Sequence, residues 1–141
     1  VKQVRRKFLP RNKSKLGPEE IIQQGFIQEV YLNYPVGTDR ELLITCSPAG
    51  FKMPKLQRIR FSQWAAKMGY RVGTPDVLIL EPTGRFHGLF IEFKAGSNDL
   101  SDNQRNFISL AKKRRYCCAV AYSTEEGMDA LKWYLAGGDW K

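Results

Sequence analysis

The sequence predicts an α/β fold: a mixed β-sheet core flanked by helices, in the order αβ-α-ββαβα. Three observations support this. Segments with helical apolar periodicity alternate with short apolar runs. One run, Val77-Leu78-Ile79-Leu80, is continuous and bounded by the turn residues Gly73-Thr74-Pro75, the pattern of a strand covered on both faces. The next, Gly88 to Lys94, alternates, so that Leu89, Ile91 and Phe93 share one face while Phe90, Glu92 and Lys94 share the other.

Composition bounds the function. The 141 residues read as one domain, residues 18–141, behind a basic flexible arm, residues 1–17, that holds Arg5 and Arg6. A hydrophobic fraction of 43% with 12% aromatic residues suits a globular core. A net charge of +9 favours a polyanionic partner, nucleic acid ahead of an anionic membrane. The three cysteines, Cys46, Cys117 and Cys118, lack metal-ligand spacing, and His87 is the only histidine, so a zinc site is not expected. The adjacent pair reads as small core hydrophobes in a reducing compartment. No apolar run approaches the ~20 residues that span a bilayer, and the start does not resemble a signal peptide. A soluble intracellular protein is expected, in the cytoplasm or nucleoid, or in a host cell if the source is viral.

The elements follow in order. Pro18 suits the first turn of a helix running to Asn33, with Glu19 and Glu20 at its positive end. At 100° per residue Glu19 and Gln23 fall among the inward-facing Ile22, Phe26, Ile27 and Val30, while Glu20 lies to one side. Glu41 to Cys46 reads as the first strand, and Ser47 to Lys52 as a loop leading into Lys55, Arg58 and Arg60. A second helix, Leu56 to Met68, places Phe61, Trp64, Ala65 and Met68 on one face, read as core, with Gly69 as its C-cap. Glu81-Pro82-Thr83-Gly84-Arg85 has hairpin chemistry. Ser101-Asp102-Asn103-Gln104 is a capping box opening a helix whose inward stripe is Gln104, Ile108 and Ala111. This helix closes in Lys112-Lys113-Arg114-Arg115. Tyr116 to Tyr122 reads as a buried strand, and Ser123 or Thr124 caps a last helix to Leu135.

The two central strands hold residues that burial disfavours. Asp76 sits at the mouth of one strand, and Glu92 and Lys94 point the same way from the other. If the strands are neighbours, the two carboxylates converge and repel unless a cation lies between them. Mg2+ suits such a site, since it takes few protein ligands and completes its shell with water and phosphate. The alternative is a turn aspartate beside a surface ion pair.

Pro75-Asp76 followed, 16 residues after the aspartate, by Glu92-Phe93-Lys94 resembles the PD-(D/E)xK nuclease signature. With Gly73-x-Pro75-Asp76, the Phe86 to Lys94 strand, Leu100-Ser101 and Gln104, the chain resembles the VRR-NUC family over residues 18–135, in its small stand-alone form. The resemblance implies a restriction-endonuclease-like sheet and divalent-metal-dependent hydrolysis of DNA. Asp76, Glu92 and the main-chain carbonyl of Phe93 would hold Mg2+ or Mn2+, with Lys94 and Gln104 completing the catalytic set. The family's additional helix acid maps to Glu19, which is implied as a further catalytic or metal-binding group. Lys52, Lys55, Arg58 and Arg60, with Arg5 and Arg6, are the candidate DNA contacts. Small members of the family resemble Holliday-junction resolvases, which implies branched DNA and a C2 homodimer. A flap or general DNA nuclease, or a non-catalytic nucleic-acid-binding module, stands as the alternative.

Overall fold

In the computed structural model, residues 16–47 and 55–138 are described. Arg5, Arg6 and Lys52 lie outside the described residues. The element order is α1 (Pro18–Asn33), β1 (Ile44–Cys46), α2 (Lys55–Lys67), β2 (Val77–Ile79), β3 (Leu89–Phe93), α3 (Asp102–Lys113), β4 (Cys117–Ala121) and α4 (Thr124–Leu135), matching the predicted sequence of elements. Proline starts α1 because its missing N–H costs nothing there. The free N–H of Gly17 is instead met by the Glu20 carboxylate at 3.0 Å.

The four strands lie in the order β1-β2-β3-β4. β1 and β3 flank β2 antiparallel, and β4 runs parallel to β3, so the sheet is mixed. Phe26 and Val30 of α1, together with Met128, Leu131 and Tyr134 of α4, cover the face built from Val77, Ile79, Leu89, Ile91 and Phe93. Phe26 meets Phe93 ring to ring at 5.3 Å. Gly127 keeps α4 close to this contact, because a Cβ there would press on the rings of Phe26 and Phe93. On the opposite face, Phe90 stacks on Tyr116 at 4.7 Å and meets Phe107 of α3 at 6.0 Å. Full burial of Leu89, Ile91 and Phe93 contributes about 1.5–3 kcal/mol each, which lets the same strand tolerate the buried carboxylate of Glu92.

Four expectations need correction. β1 starts at Ile44, not Glu41, and the Leu43 N–H donates to the Glu81 carboxylate instead of entering the ladder. β4 is half-buried except at Ala121, because it is an edge strand with a neighbour on one side only. Cys46 is exposed, and Cys117 and Cys118 are half-buried, so none is a full core residue. The expected core face of α2 is the largest departure. Ala65 is buried and Phe61 half-buried, but Trp64 and Met68 are 57% and 66% exposed.

Candidate active site

The β2–β3 register pairs Val77 with Ile91, so Asp76 and Glu92 lie opposite each other at the ends of the two strands. Asp76 is held at two points. Its carbonyl accepts the Ser47 N–H at 2.8 Å, and its carboxylate accepts the Phe93 N–H at 2.8 Å. The side chain thus takes the amide of the last residue of β3, beyond the end of the β2 ladder at Ile91. Pro75, fully buried before it, fixes the direction of approach.

Glu92 is 3% exposed. One carboxylate oxygen, Oε1, accepts from Lys94 Nζ at 3.2 Å and from Gln104 Nε2 in a short hydrogen bond. The other, Oε2, is buried and has no hydrogen-bond partner. Gln104 performs two tasks at once. Its carbonyl oxygen accepts from the Ser101 N–H at 2.8 Å within the capping box, which leaves the amide nitrogen free for Glu92.

The charges are out of balance. Burial pushes the Glu92 carboxyl up to about 7, with Asp76 and Glu19 adding repulsion and Lys94 opposing them. Burial also raises Asp76, against the Phe93 amide and Lys94, which lower it, while Glu19 raises it further. Three carboxylates therefore share one ammonium group, and an orphaned buried oxygen faces the deficit. An oxygen-seeking divalent cation fits this donor set, since Mg2+ is bound by one or two carboxylates and keeps the remaining positions for water and phosphate. Among the described residues no group of three or more acidic, histidine or cysteine side chains is placed to hold a metal ion, so the fit rests on the two carboxylates of Asp76 and Glu92.

Glu19 lies across a cleft of about 340 Å³ lined by Glu20, Gln23, Asp76, Ala95 and Asn98. Its carboxylate accepts from Asn98 Nδ2 at 3.1 Å, while Glu20 is turned back to cap α1. The helix geometry expected for the two glutamates is thus the one observed. Asn98 had not been singled out from sequence. It lies in the loop after β3, where no periodicity gives its direction, and its main-chain carbonyl is fixed by the Tyr122 hydroxyl at 3.1 Å. Lys55, Arg58 and Arg60 are exposed on α2. His87 is exposed and packs on Tyr116 at 5.6 Å, in keeping with a packing role.

Gly73 joins the two halves of this arrangement. Its φ is +90°, and a Cβ would collide with the main chain of Asn103 and Gln104 at the start of α3. Gly73→Ala is expected to cost at least about 1–3 kcal/mol from the backbone conformation alone, and to displace Gln104 from Glu92. A thermal melt equal to that of the parent protein would contradict this close contact.

Fold and site together define a mixed-sheet α/β protein with an acid, acid, lysine and glutamine cluster at one end of its central strands. The chain belongs to the VRR-NUC domain family, whose profile matches residues 20–125, a span that includes all four residues. That membership places it among nuclease-related proteins. A solved VRR_NUC domain protein is similar in fold, with a TM-score of 0.65 at 24% identity over 91% of this chain and 96% of its own. No curated protein matches the chain. Among the described residues no helix is long and apolar enough to cross a membrane.

Proposed function

We propose that the chain is a divalent-metal-dependent DNA endonuclease that hydrolyses phosphodiester bonds in branched DNA, in the manner of a Holliday-junction resolvase. The observation that supports the metal-dependent chemistry is the unpartnered Oε2 of Glu92, buried opposite Asp76, while the branched substrate follows from the resemblance to the family's small members. Asp76, Glu92 and the Phe93 carbonyl would hold Mg2+ or Mn2+. When bound, the ion supplies Lewis-acid polarisation of the phosphoryl group and a more acidic attacking water.

The protein's own groups do the positioning. The Phe93 amide fixes one carboxylate, and Lys94 with Gln104 fixes the other, so neither must reorganise as charge develops. Lys94 also supplies positive charge beside Glu92, where it would offset negative charge building on the phosphoryl oxygens. Glu19, held by Asn98 on the far wall of the cleft, would serve a water or a second ion. In the reaction a water oxygen bonds to phosphorus, the ester P–O bond breaks, and a proton reaches the departing oxygen. Cutting two strands symmetrically requires two such sites, so a C2 homodimer is the natural assembly; sedimentation showing only monomers with DNA would remove it.

Labelled four-way junction, flap and duplex DNA, each incubated with Mg2+, test the proposal. The junction should be cut in preference to the others. Lys94→Ala is expected to lose about 10²–10³-fold in single-turnover rate, the scale of removing one preorganised charge-stabilising group, while retaining DNA binding and a cooperative melt. Binding of all three substrates without any cleavage would instead favour the non-catalytic module. Preference for the flap would retain the chemistry and change the substrate.

A further inference from the structure

Helix α2 exposes side chains that a helix of a finished core would bury. Leu56, Ile59 and Trp64 are exposed on it, Met68 is exposed just beyond it, and Phe61 packs against Trp64 at 5.9 Å between ring centroids. At about 100° per residue, Leu56, Lys67, Arg60 and Trp64 fall within one arc of roughly 80°, turned away from the buried Ala65. The helix carries Lys55, Arg58, Arg60 and Lys67, and no acidic residue occurs anywhere between Glu41 and Asp76.

The segment that follows α2 is linked to Asp76 by two contacts. The Tyr70 hydroxyl, just beyond α2, lies 3.4 Å from Ser47 Oγ, and the Ser47 N–H donates to the Asp76 carbonyl at 2.8 Å. The C-terminal end of α2 therefore sits at the strand end that carries Asp76.

We propose that the outer face of α2 is a subsite for unpaired nucleotides, with a base stacked on Trp64 and the flanking phosphates held by Arg60 and Lys67. The inference rests on the nuclease reading and adds to it a contact for bases that are unpaired or opened at a branch point. Cations alone would suit any duplex backbone, but an exposed indole among them suits a base with an open π-face. A second copy of the chain is disfavoured as the occupant, because facing α2 helices would bring Arg60 and Lys67 against their own equivalents.

The test uses fluorescein-labelled single-stranded DNA, blunt duplex, and duplex with a single-stranded extension, bound in EDTA so that metal-dependent cleavage is suppressed. Trp64→Ala should weaken binding to the DNAs with unpaired nucleotides by about 5- to 100-fold, with little change on the blunt duplex, and Trp64→Phe should restore most of the loss. Equal losses on all three DNAs, unchanged binding, or a changed subunit count in Trp64→Ala would each overturn the subsite. Asp76→Asn separates this outcome from the nuclease reading. It should bind with the same strand preference while failing to cut, whereas full cleavage by Asp76→Asn would refute the catalytic centre and leave the binding result standing.

Discussion

Asp76→Asn should abolish cleavage, by at least about 10³-fold, while the protein folds and binds DNA. The size follows from losing the charged oxygen proposed to hold the metal, since in such sites a single preorganised donor alone is worth about 10²–10³. The fold should survive because an asparagine oxygen can still accept the Phe93 N–H, and because the native carboxylate is already disfavoured by burial. Removing this charge also removes the repulsion it exerts on Glu92, so the Glu92 carboxyl should titrate lower in the variant. Single-turnover cleavage with excess enzyme and DNA anisotropy measure the two halves. A residual rate within tenfold of the parent would exclude Asp76 from the chemistry.

Glu92→Gln should be inactive yet more stable than the parent at alkaline pH in the absence of divalent metal. Burial raises the Glu92 carboxyl from its ordinary 4.5 to about 7, so between those values the folded state holds a proton that the unfolded chain has lost. The stabilisation from this proton is complete below the unfolded value and is lost as pH rises through the folded one. At alkaline pH the parent carries an ionised, buried, half-satisfied carboxylate, at a cost on the order of 2–3 kcal/mol. Glutamine removes that charge. Denaturant melts below about pH 5 and above about pH 8 should therefore show a gap between parent and variant that opens only at the higher pH. Saturating Mg2+ should narrow the gap by stabilising the charged parent. A gap of equal size at both pH values would mean that the carboxylate is not strained.

These outcomes depend on contacts whose visibility in the sequence differed. The parity of β3 placed Glu92 and Lys94 on one face before any coordinate, because alternation is a local property of an extended chain. Lys94 Nζ accordingly stands 3.2 Å from Glu92 Oε1. The bounds of α1 and the capping box of α3 were equally legible, since proline and the Ser101–Gln104 spacing act within one helical turn. Helix α2 was misread for the opposite reason. Periodicity sets Phe61, Trp64, Ala65 and Met68 on one face, but Leu56 and Ile59 lie off it and only Ala65 of the set is buried, an outcome that spacing within the helix does not decide. Asn98 lay in a loop with no period at all.

By itself, the sequence determined the order of elements, the inward strand residues, and the types of group at the strand ends, because each follows from short-range geometry and burial preference. Only the tertiary structure decided which groups meet across long stretches of chain: the Gln104 amide on Glu92, Asn98 on Glu19, and Gly73 against the start of α3. It also decided that one oxygen of Glu92 stays buried and unpartnered. The physical reason is that satisfaction of a buried polar atom depends on every chain segment packed around it, and no local pattern specifies that set.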